Sequence, residues 1–98
     1  MELTTYDHVN RLADTLSLLG EPIRLSIVVY LLNKKANVSD ITNHLDVSQP
    51  AVSHHLRLLK AARILKSEKK GKLVYYSIID DHIKNLIELG LVHMTHGE

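Results

Sequence analysis

A helix with two contrasting faces is encoded between Ser48 and Ala62. At about 100° per residue, the apolar and the polar side chains of this segment fall on opposite sides. The apolar side holds Ala51, Val52, Leu56, Leu58 and Leu59, and the polar side holds Gln49, Pro50, Ser53, His54 and Arg57. His55 lies among the apolar residues and is predicted to be packed. Because an apolar stripe must be buried, the segment predicts a helix on the surface of a packed domain.

Three shorter helices are expected before this one. Apolar residues recur at helical spacing from Val9 to Leu19, and Gly20 ends that segment. Pro22 suits the first turn of a second helix. Ser39 is predicted to cap a third helix that runs to Leu45, and Ser48 is predicted to cap the fourth.

The chain then becomes rich in β-branched and aromatic residues. Residues 64–67 and 73–78 flank the basic tip Lys69-Lys70-Gly71-Lys72, which predicts a two-stranded hairpin. A last helix is expected from about Asp80 to Met94. The predicted fold is mainly α, of the α+β kind, with the order α-α-α-α-β-β-α in one domain over residues 1–98.

Composition excludes several classes of protein. The chain has 98 residues, no cysteine and a formal net charge of +1, so disulfides and thiolate-ligated metals are excluded. No apolar run approaches the roughly 18 residues of a membrane span, and the N-terminus lacks a signal-peptide pattern. A cytoplasmic protein without a membrane partner is therefore expected, and the composition implies no protein partner.

The third and fourth helices, joined by residues 46–48, form a candidate helix-turn-helix. Seven basic residues and one acid, Glu68, lie between Arg57 and Lys72, a distribution suited to phosphates. Double-stranded DNA is therefore the predicted partner, and the polar side of the fourth helix is predicted to read it. The residues expected to contact DNA are Gln49, Pro50, Ser53, His54, Arg57, Lys60, Lys69, Lys70 and Lys72.

These motifs resemble a known family. The run SQPAVSHHLRLLK at residues 48–60, the wing ending in YYS at 75–77 and LGEPIR at 19–24 are similar to the ArsR/SmtB family of winged-helix repressors. The resemblance covers nearly the whole chain. It implies a homodimer that binds a palindromic operator and dissociates from that operator when a metal or another inducer binds.

Four candidate metal ligands, Asp80, His82, His93 and His96, belong to the last predicted helix and its cap. His93 and His96 are three residues apart and leave the same helix face. His82 shares that face, because eleven residues turn the helix by about 20° beyond three full turns. The same eleven residues span roughly 16 Å, which is too long for one metal ion to bridge. One chain therefore cannot close this site.

Two chains can close it if the last helix packs antiparallel against its copy near residues 87–88. Asp80, as the N-cap residue, and His82 then face His93 and His96 of the partner subunit, and symmetry gives two equivalent sites. The homodimer is thus predicted to form through the terminal helices. The predicted apolar contact stripe comprises Ile83, Leu86, Ile87, Gly90 and Met94, with Gly90 permitting close approach of the helices.

One carboxylate and three imidazoles suit tetrahedral Zn(II), with Co(II) as the alternative, at one ion per protomer. The pattern resembles the C-terminal helix site of the zinc and cobalt sensors in the same family. His8 and His44 are interpreted as surface residues, and the alternative is that His8 adds a fifth or sixth ligand for an octahedral metal such as Ni(II). An enzyme is not expected, because four protein ligands leave no open position for water.

The predicted function is a repressor released from its operator by Zn(II) or Co(II), controlling metal efflux. In the sensors that the chain resembles, a ligand histidine donates a hydrogen bond to a backbone carbonyl just after the recognition helix. That resemblance implies coupling between His93 and the carbonyl near Arg63. The alternative is a winged-helix DNA-binding regulator that is constitutive or responds to a non-metal signal.

Overall fold

The computed structural model describes residues 4–96 and confirms the predicted order of elements. The helices are α1 (Thr5–Leu19), α2 (Pro22–Tyr30), α3 (Val38–Leu45), α4 (Gln49–Ala61) and α5 (Asp81–His96), and the strands are β1 (Leu65–Lys70) and β2 (Leu73–Ile78). Within this part of the chain, none of the helices is long and apolar enough to cross a membrane. The fold is a winged helix-turn-helix.

The N-terminus of α3 differs from the sequence prediction, because its cap is Asn37 and not Ser39. The Asn37 side chain accepts a hydrogen bond from the Asp40 N–H at 2.9 Å, and the Asp40 carboxylate accepts one from the Asn37 N–H at 3.4 Å. This reciprocal capping box needs a carboxylate or amide three residues after the cap. Asp40 meets that requirement for Asn37, whereas Thr42 stands at the corresponding place for Ser39.

This correction makes a prediction about stability. Replacing Asn37 with alanine removes the cap, so we expect Asn37→Ala to lower the free energy of unfolding by about 1 kcal/mol. The matched control is Ser39→Ala in the first turn, which should change that free energy by less than about 0.5 kcal/mol. Urea unfolding followed by circular dichroism measures both. A larger loss in Ser39→Ala than in Asn37→Ala would contradict the assignment.

The hairpin is longer than predicted, and its turn is tighter. Lys69 and Lys70, expected in the loop, belong to β1 and pair with Val74 and Leu73 of β2. Only two residues connect the strands, and Gly71 adopts the positive φ of 63° that such turns require. Backbone hydrogen bonds of 2.8 and 3.1 Å between Ala36 and Tyr76 attach the hairpin to the α2–α3 connection.

The core lies where α2, α3, α4 and β1 meet. Its fully buried large side chains are Ile27, Val28, Ile41, Val52, Leu56, Leu59, Ile64 and Leu65. The last helix contributes little to this core, since Ile87 is its one buried residue within the described part of α5. Helix α5 therefore keeps most of its surface free for contacts outside the chain.

Candidate DNA-reading surface and metal ligands

The recognition helix presents the polar face that the sequence predicted. Val52, Leu56 and Leu59 of α4 are at most 1% exposed, so they fix which side of the helix faces the core. Four of the predicted reading residues are exposed and one, Ser53, is half-buried; the exposed ones are Gln49, Pro50, His54 and Arg57. The side chain of Ser48 caps the helix by accepting from the Ala51 N–H at 3.3 Å. The predicted reading residues thus lie at and near the capped N-terminus.

The turn before α4 is built to bring two helices together. Asp46 adopts a left-handed conformation with φ 54° and ends α3, while its N–H donates to the Thr42 carbonyl at 3.0 Å. Ile41 of α3 is fully buried against the core. Together with the capped start of α4, this turn produces the helix-turn-helix geometry that can insert a helix into the major groove.

The basic residues of the wing are exposed but do not form a single strip. Because successive residues of a strand point to opposite faces, Lys66 and Lys70 lie on one face of β1 and Lys69 on the other. Glu68 shares the face of Lys70 and lies 3.5 Å from its ammonium group, and 4.0 Å from that of Lys35. Lys66, Lys69 and Lys72 have no acidic group within 4.0 Å among the described residues, so these wing cations are available to phosphates, whereas Lys70 is paired with Glu68.

Asp80 caps α5 and faces one of the predicted ligands. Its Oδ1 accepts from the Ile83 N–H at 3.1 Å, and its Oδ2 lies 3.7 Å from His82 Nδ1. The Ile83 N–H, with a smaller contribution from the His82 ring, holds the pKa of the Asp80 carboxyl below its ordinary value. The Asp80 carboxylate therefore caps α5 and lies beside the His82 imidazole of the same chain.

The histidines of α5 lie apart along its exposed side. His82, His93 and His96 are all exposed, and the side chain of His82 is 96% accessible. Between residues 4 and 96, no three His, Asp or Glu side chains converge into a group that could hold a metal ion. With cysteine absent from the sequence, the donors available on this face are imidazole nitrogens and one carboxylate, a set that fits zinc.

The apolar stripe predicted on α5 needs a correction. Ile87 is 7% exposed and Ile83 is half-buried, and both pack against the core of their own chain. Leu86 and Leu89 are exposed at 39% and 70%. On a helical wheel, their angular positions are within about 40° of those of His82 and His93. Leu89, which the prediction omitted, therefore lies on the histidine face, whereas Ile83 and Ile87 do not.

Helix α1 carries a second apolar surface that the sequence prediction treated only as helical periodicity. Tyr6, Val9, Leu12 and Leu16 are between 47% and 74% exposed, and only Leu19 of this series is buried. A groove of about 410 Å³ lies between the end of α1 and α5, lined by Leu16, Gly20, Leu86, Gly90, Met94 and their neighbours. The signal was available in the sequence as apolar residues that recur at helical spacing along α1.

Arg63 occupies the turn that ends α4. Its φ is 60°, its N–H donates to the Lys60 carbonyl at 3.0 Å, and the next N–H, of Ile64, donates to the Leu59 carbonyl at 2.9 Å. These two bonds form a Schellman motif, in which a residue with a left-handed backbone conformation ends a right-handed helix. The backbone around Arg63 is thus fixed at the junction of α4 and β1, where the predicted coupling to His93 would act.

Comparison with known proteins agrees with this geometry. The model of the arsR family of bacterial regulatory proteins matches residues 21–67. The transcriptional repressor SmtB homolog of Synechocystis sp. is 36% identical over 97 residues, covering 99% of this chain and 74% of the relative. The cadmium resistance transcriptional regulatory protein CadC homolog of Staphylococcus aureus is 43% identical over 76 residues, covering 76% of this chain and 63% of the relative.

A solved structure supports the same fold. HlyU from Vibrio cholerae superimposes with a TM-score of 0.81 at 25% identity, covering 93% of this chain and 97% of that one. The named relatives are transcriptional regulators.

Proposed function

The chain belongs to the ArsR family of DNA-binding transcriptional regulators, and from this premise we propose that it is a metal-responsive repressor released by Zn(II) or Co(II). The observation that carries the proposal is the exposed face of α5, with Asp80 and His82 at its start, His93 and His96 at its end, and exposed leucines between them. In this proposal, the chain acts in the cytoplasm as a single-domain homodimer that binds a palindromic operator.

The arrangement of the α5 face supports an antiparallel dimer. The pair His82 and His93 and the pair Leu86 and Leu89 are both centred between residues 87 and 88. A twofold axis at that point therefore places Leu86 against Leu89 of the partner subunit. It also places His82 against His93 of the partner subunit. The exposed stripe of α1 and the groove beside α5 would add apolar area to the same interface.

The proposed metal site uses residues from both protomers. Asp80 and His82 would hold the ion together with His93 and His96 of the partner subunit, giving one ion per protomer. A Zn(II) ion held by these residues would link the two chains. Participation of His8, with Ni(II) as the inducer, is the alternative ligand set; His8 lies on exposed α1.

The proposed coupling acts through the geometry of the dimer. His93 would donate its second ring N–H to the carbonyl near Arg63, at the end of α4. The spacing of the two recognition helices must match one turn of DNA, so a change at the α4–β1 junction alters operator affinity. Control of a metal efflux gene is the proposed output, in keeping with a relative named for cadmium resistance.

A titration with Co(II) followed by visible absorption tests the metal-sensing proposal. We expect intense ligand-field bands that saturate at one ion per protomer and are bleached by Zn(II), together with loss of DNA binding at the same stoichiometry. Weak bands at full occupancy would favour the six-coordinate Ni(II) alternative. Absence of tight binding would favour the second candidate, a winged-helix regulator that is constitutive or answers to a non-metal signal.

The DNA-reading role of α4 makes its own prediction. Arg57 is exposed on the polar face of α4. We therefore expect Arg57→Ala to lower the affinity for a DNA duplex selected by the wild-type protein by about tenfold or more. The control is Lys84→Ala, which removes the same charge from α5 and should change affinity by less than about twofold. Fluorescence anisotropy at several salt concentrations measures both variants. Equal losses in the two variants would indicate a general charge effect without a reading role for Arg57.

A further inference from the structure

One histidine of the recognition helix faces away from the DNA-reading side and joins the corner between α1 and α2. The His55 side chain is 13% exposed, which confirms that it is packed. Its Nδ1 lies 3.4 Å from an Arg24 guanidinium nitrogen, and its Nε2 lies 3.5 Å from Glu21 Oε2. We call this group of Glu21, Arg24 and His55 the His55 relay.

Both partners of His55 are themselves held by backbone groups of that corner. The other carboxylate oxygen of Glu21 accepts from the Ile23 N–H and caps α2. The Nε–H of Arg24 donates to the Leu18 carbonyl, at the end of α1, at 2.7 Å. The relay therefore connects α4 to the end of α1 and the start of α2 through groups whose positions the backbone determines.

The chemistry of the partners selects one form of the imidazole. A guanidinium can only donate hydrogen bonds, and a carboxylate can only accept them. His55 satisfies both when Nδ1 accepts and Nε2–H donates, which is the neutral tautomer protonated at Nε2. The charged and titratable groups that face the ring are Glu21, the cap of α2, Arg24 of α2 and the neighbouring His54, whose ring centroid lies at 5.5 Å.

We propose that His55 is a positioning residue for DNA recognition, which holds α4 at the angle its reading face requires. The proposal rests on the DNA-reading role of α4 stated above. Apolar contacts of Val52, Leu56 and Leu59 place the helix against the core, but such contacts tolerate small rotations. The contacts of His55 with Glu21 and Arg24, which are themselves held by backbone groups, restrict that rotation. His54, the next residue along, is exposed on the reading side and would shift with any change.

The test compares two substitutions in the metal-free protein. His55→Gln keeps an acceptor for Arg24 and a donor for Glu21, whereas His55→Leu keeps neither. The probes are a 40-base-pair duplex selected by the wild-type protein from a random library, and an unselected duplex of equal length. We expect His55→Leu to weaken binding of the selected duplex by about tenfold or more. Binding of the unselected duplex should change by less than about twofold, because phosphate contacts remain.

Controls separate positioning from general damage. His55→Gln is expected to restore preference for the selected duplex, and His8→Leu, on exposed α1, is expected to leave it unchanged. Thermal unfolding shows whether each variant is folded. The ¹⁵N shifts of the wild-type imidazole should report protonation at Nε2 and not at Nδ1, a readout that does not depend on any variant.

The results that would overturn the inference are specific. Full preference in a folded His55→Leu variant, failure of His55→Gln to restore it, or a ring protonated at Nδ1 would each contradict the positioning role. If the wild-type protein itself shows no preference between selected and unselected DNA, the reading role of α4 fails as well. That outcome is distinguishable, because Arg57→Ala would then lower the affinity for the selected and the unselected duplex by the same factor.

Discussion

Two variants that each lose zinc affinity are expected to recover part of their zinc binding when they are refolded together. The first carries Asp80→Ala and His82→Asn, and the second carries His93→Asn and His96→Asn. Each pure variant lacks half of every proposed site, so its zinc affinity should fall by at least about 100-fold. In a mixed dimer, however, one of the two sites keeps all four ligands, because each site takes one half from each chain.

The amount recovered can be stated in advance. Random reassociation places half of the dimers in the mixed form, so the mixture should bind about one quarter of the zinc bound by wild type. The two variants are unfolded and refolded together to ensure exchange, and bound zinc is measured by competition with a chromogenic chelator. In the control, the two variants are refolded separately and measured separately, so that no mixed dimers form. Neither preparation should then show bound zinc.

Different failures have different meanings. If the refolded mixture stays free of zinc, the ligands are not shared between subunits in the proposed way. If either variant alone retains wild-type zinc binding, the ion is held by other residues, of which His8 is the first candidate. The experiment needs no knowledge of the operator, so its outcome is independent of DNA binding.

Breaking the α5 interface should have the second large effect. Leu89 is 70% exposed within its own chain, and its burial is predicted only in the dimer. We expect Leu89→Glu to convert the protein to monomers, because two carboxylates would be placed in an apolar contact. Operator affinity should then fall by about 100-fold or more, since the two half-sites are no longer bound by linked subunits.

Leu89→Met is the matched control, because it keeps an apolar side chain of similar volume at the same place. It should remain a dimer and bind operator as the wild type does. Sedimentation velocity gives the oligomeric state, and circular dichroism shows whether the Leu89→Glu chain is folded. The core of Ile27, Ile41, Leu56 and Ile64 lies within one chain, so the monomer is expected to stay helical. A dimeric Leu89→Glu protein would contradict the proposed interface.

The recognition helix shows how much can be predicted from a pattern. Its two faces follow from the helical period alone, and the buried Val52, Leu56 and Leu59 lie on the side that the period assigned to the core. The capping residue Ser48 and the tolerated Pro50 are equally local features. The packed position of His55 was also predictable, since it falls on the apolar side of the same wheel. Its partners Glu21 and Arg24 were not, because they are more than thirty residues away in the chain.

The errors came where two local solutions compete. Asn37 and Ser39 are both good caps, and the reciprocal bond with Asp40 decides between them. Lys69 and Lys70 are typical of a loop by composition, yet cross-strand pairing with β2 carries them into the strand. In both places the deciding energy lies in a specific pair of hydrogen-bonding groups and not in the preference of a single residue.

Four features could be predicted from residue types and spacing: the order of elements, the polar face of α4, the family resemblance and the donor chemistry of the candidate metal ligands. Each of these depends on residue type and on a spacing of a few positions along one helix or hairpin. Which side of α5 is free could not be predicted in this way, because it depends on how the chain packs. Ile83, Ile87, Leu86 and Leu89 are all apolar, and periodicity alone cannot tell which of them the rest of the chain covers. Burial depends on where α5 lies against the core, which is a property of the packed molecule and not of the helix.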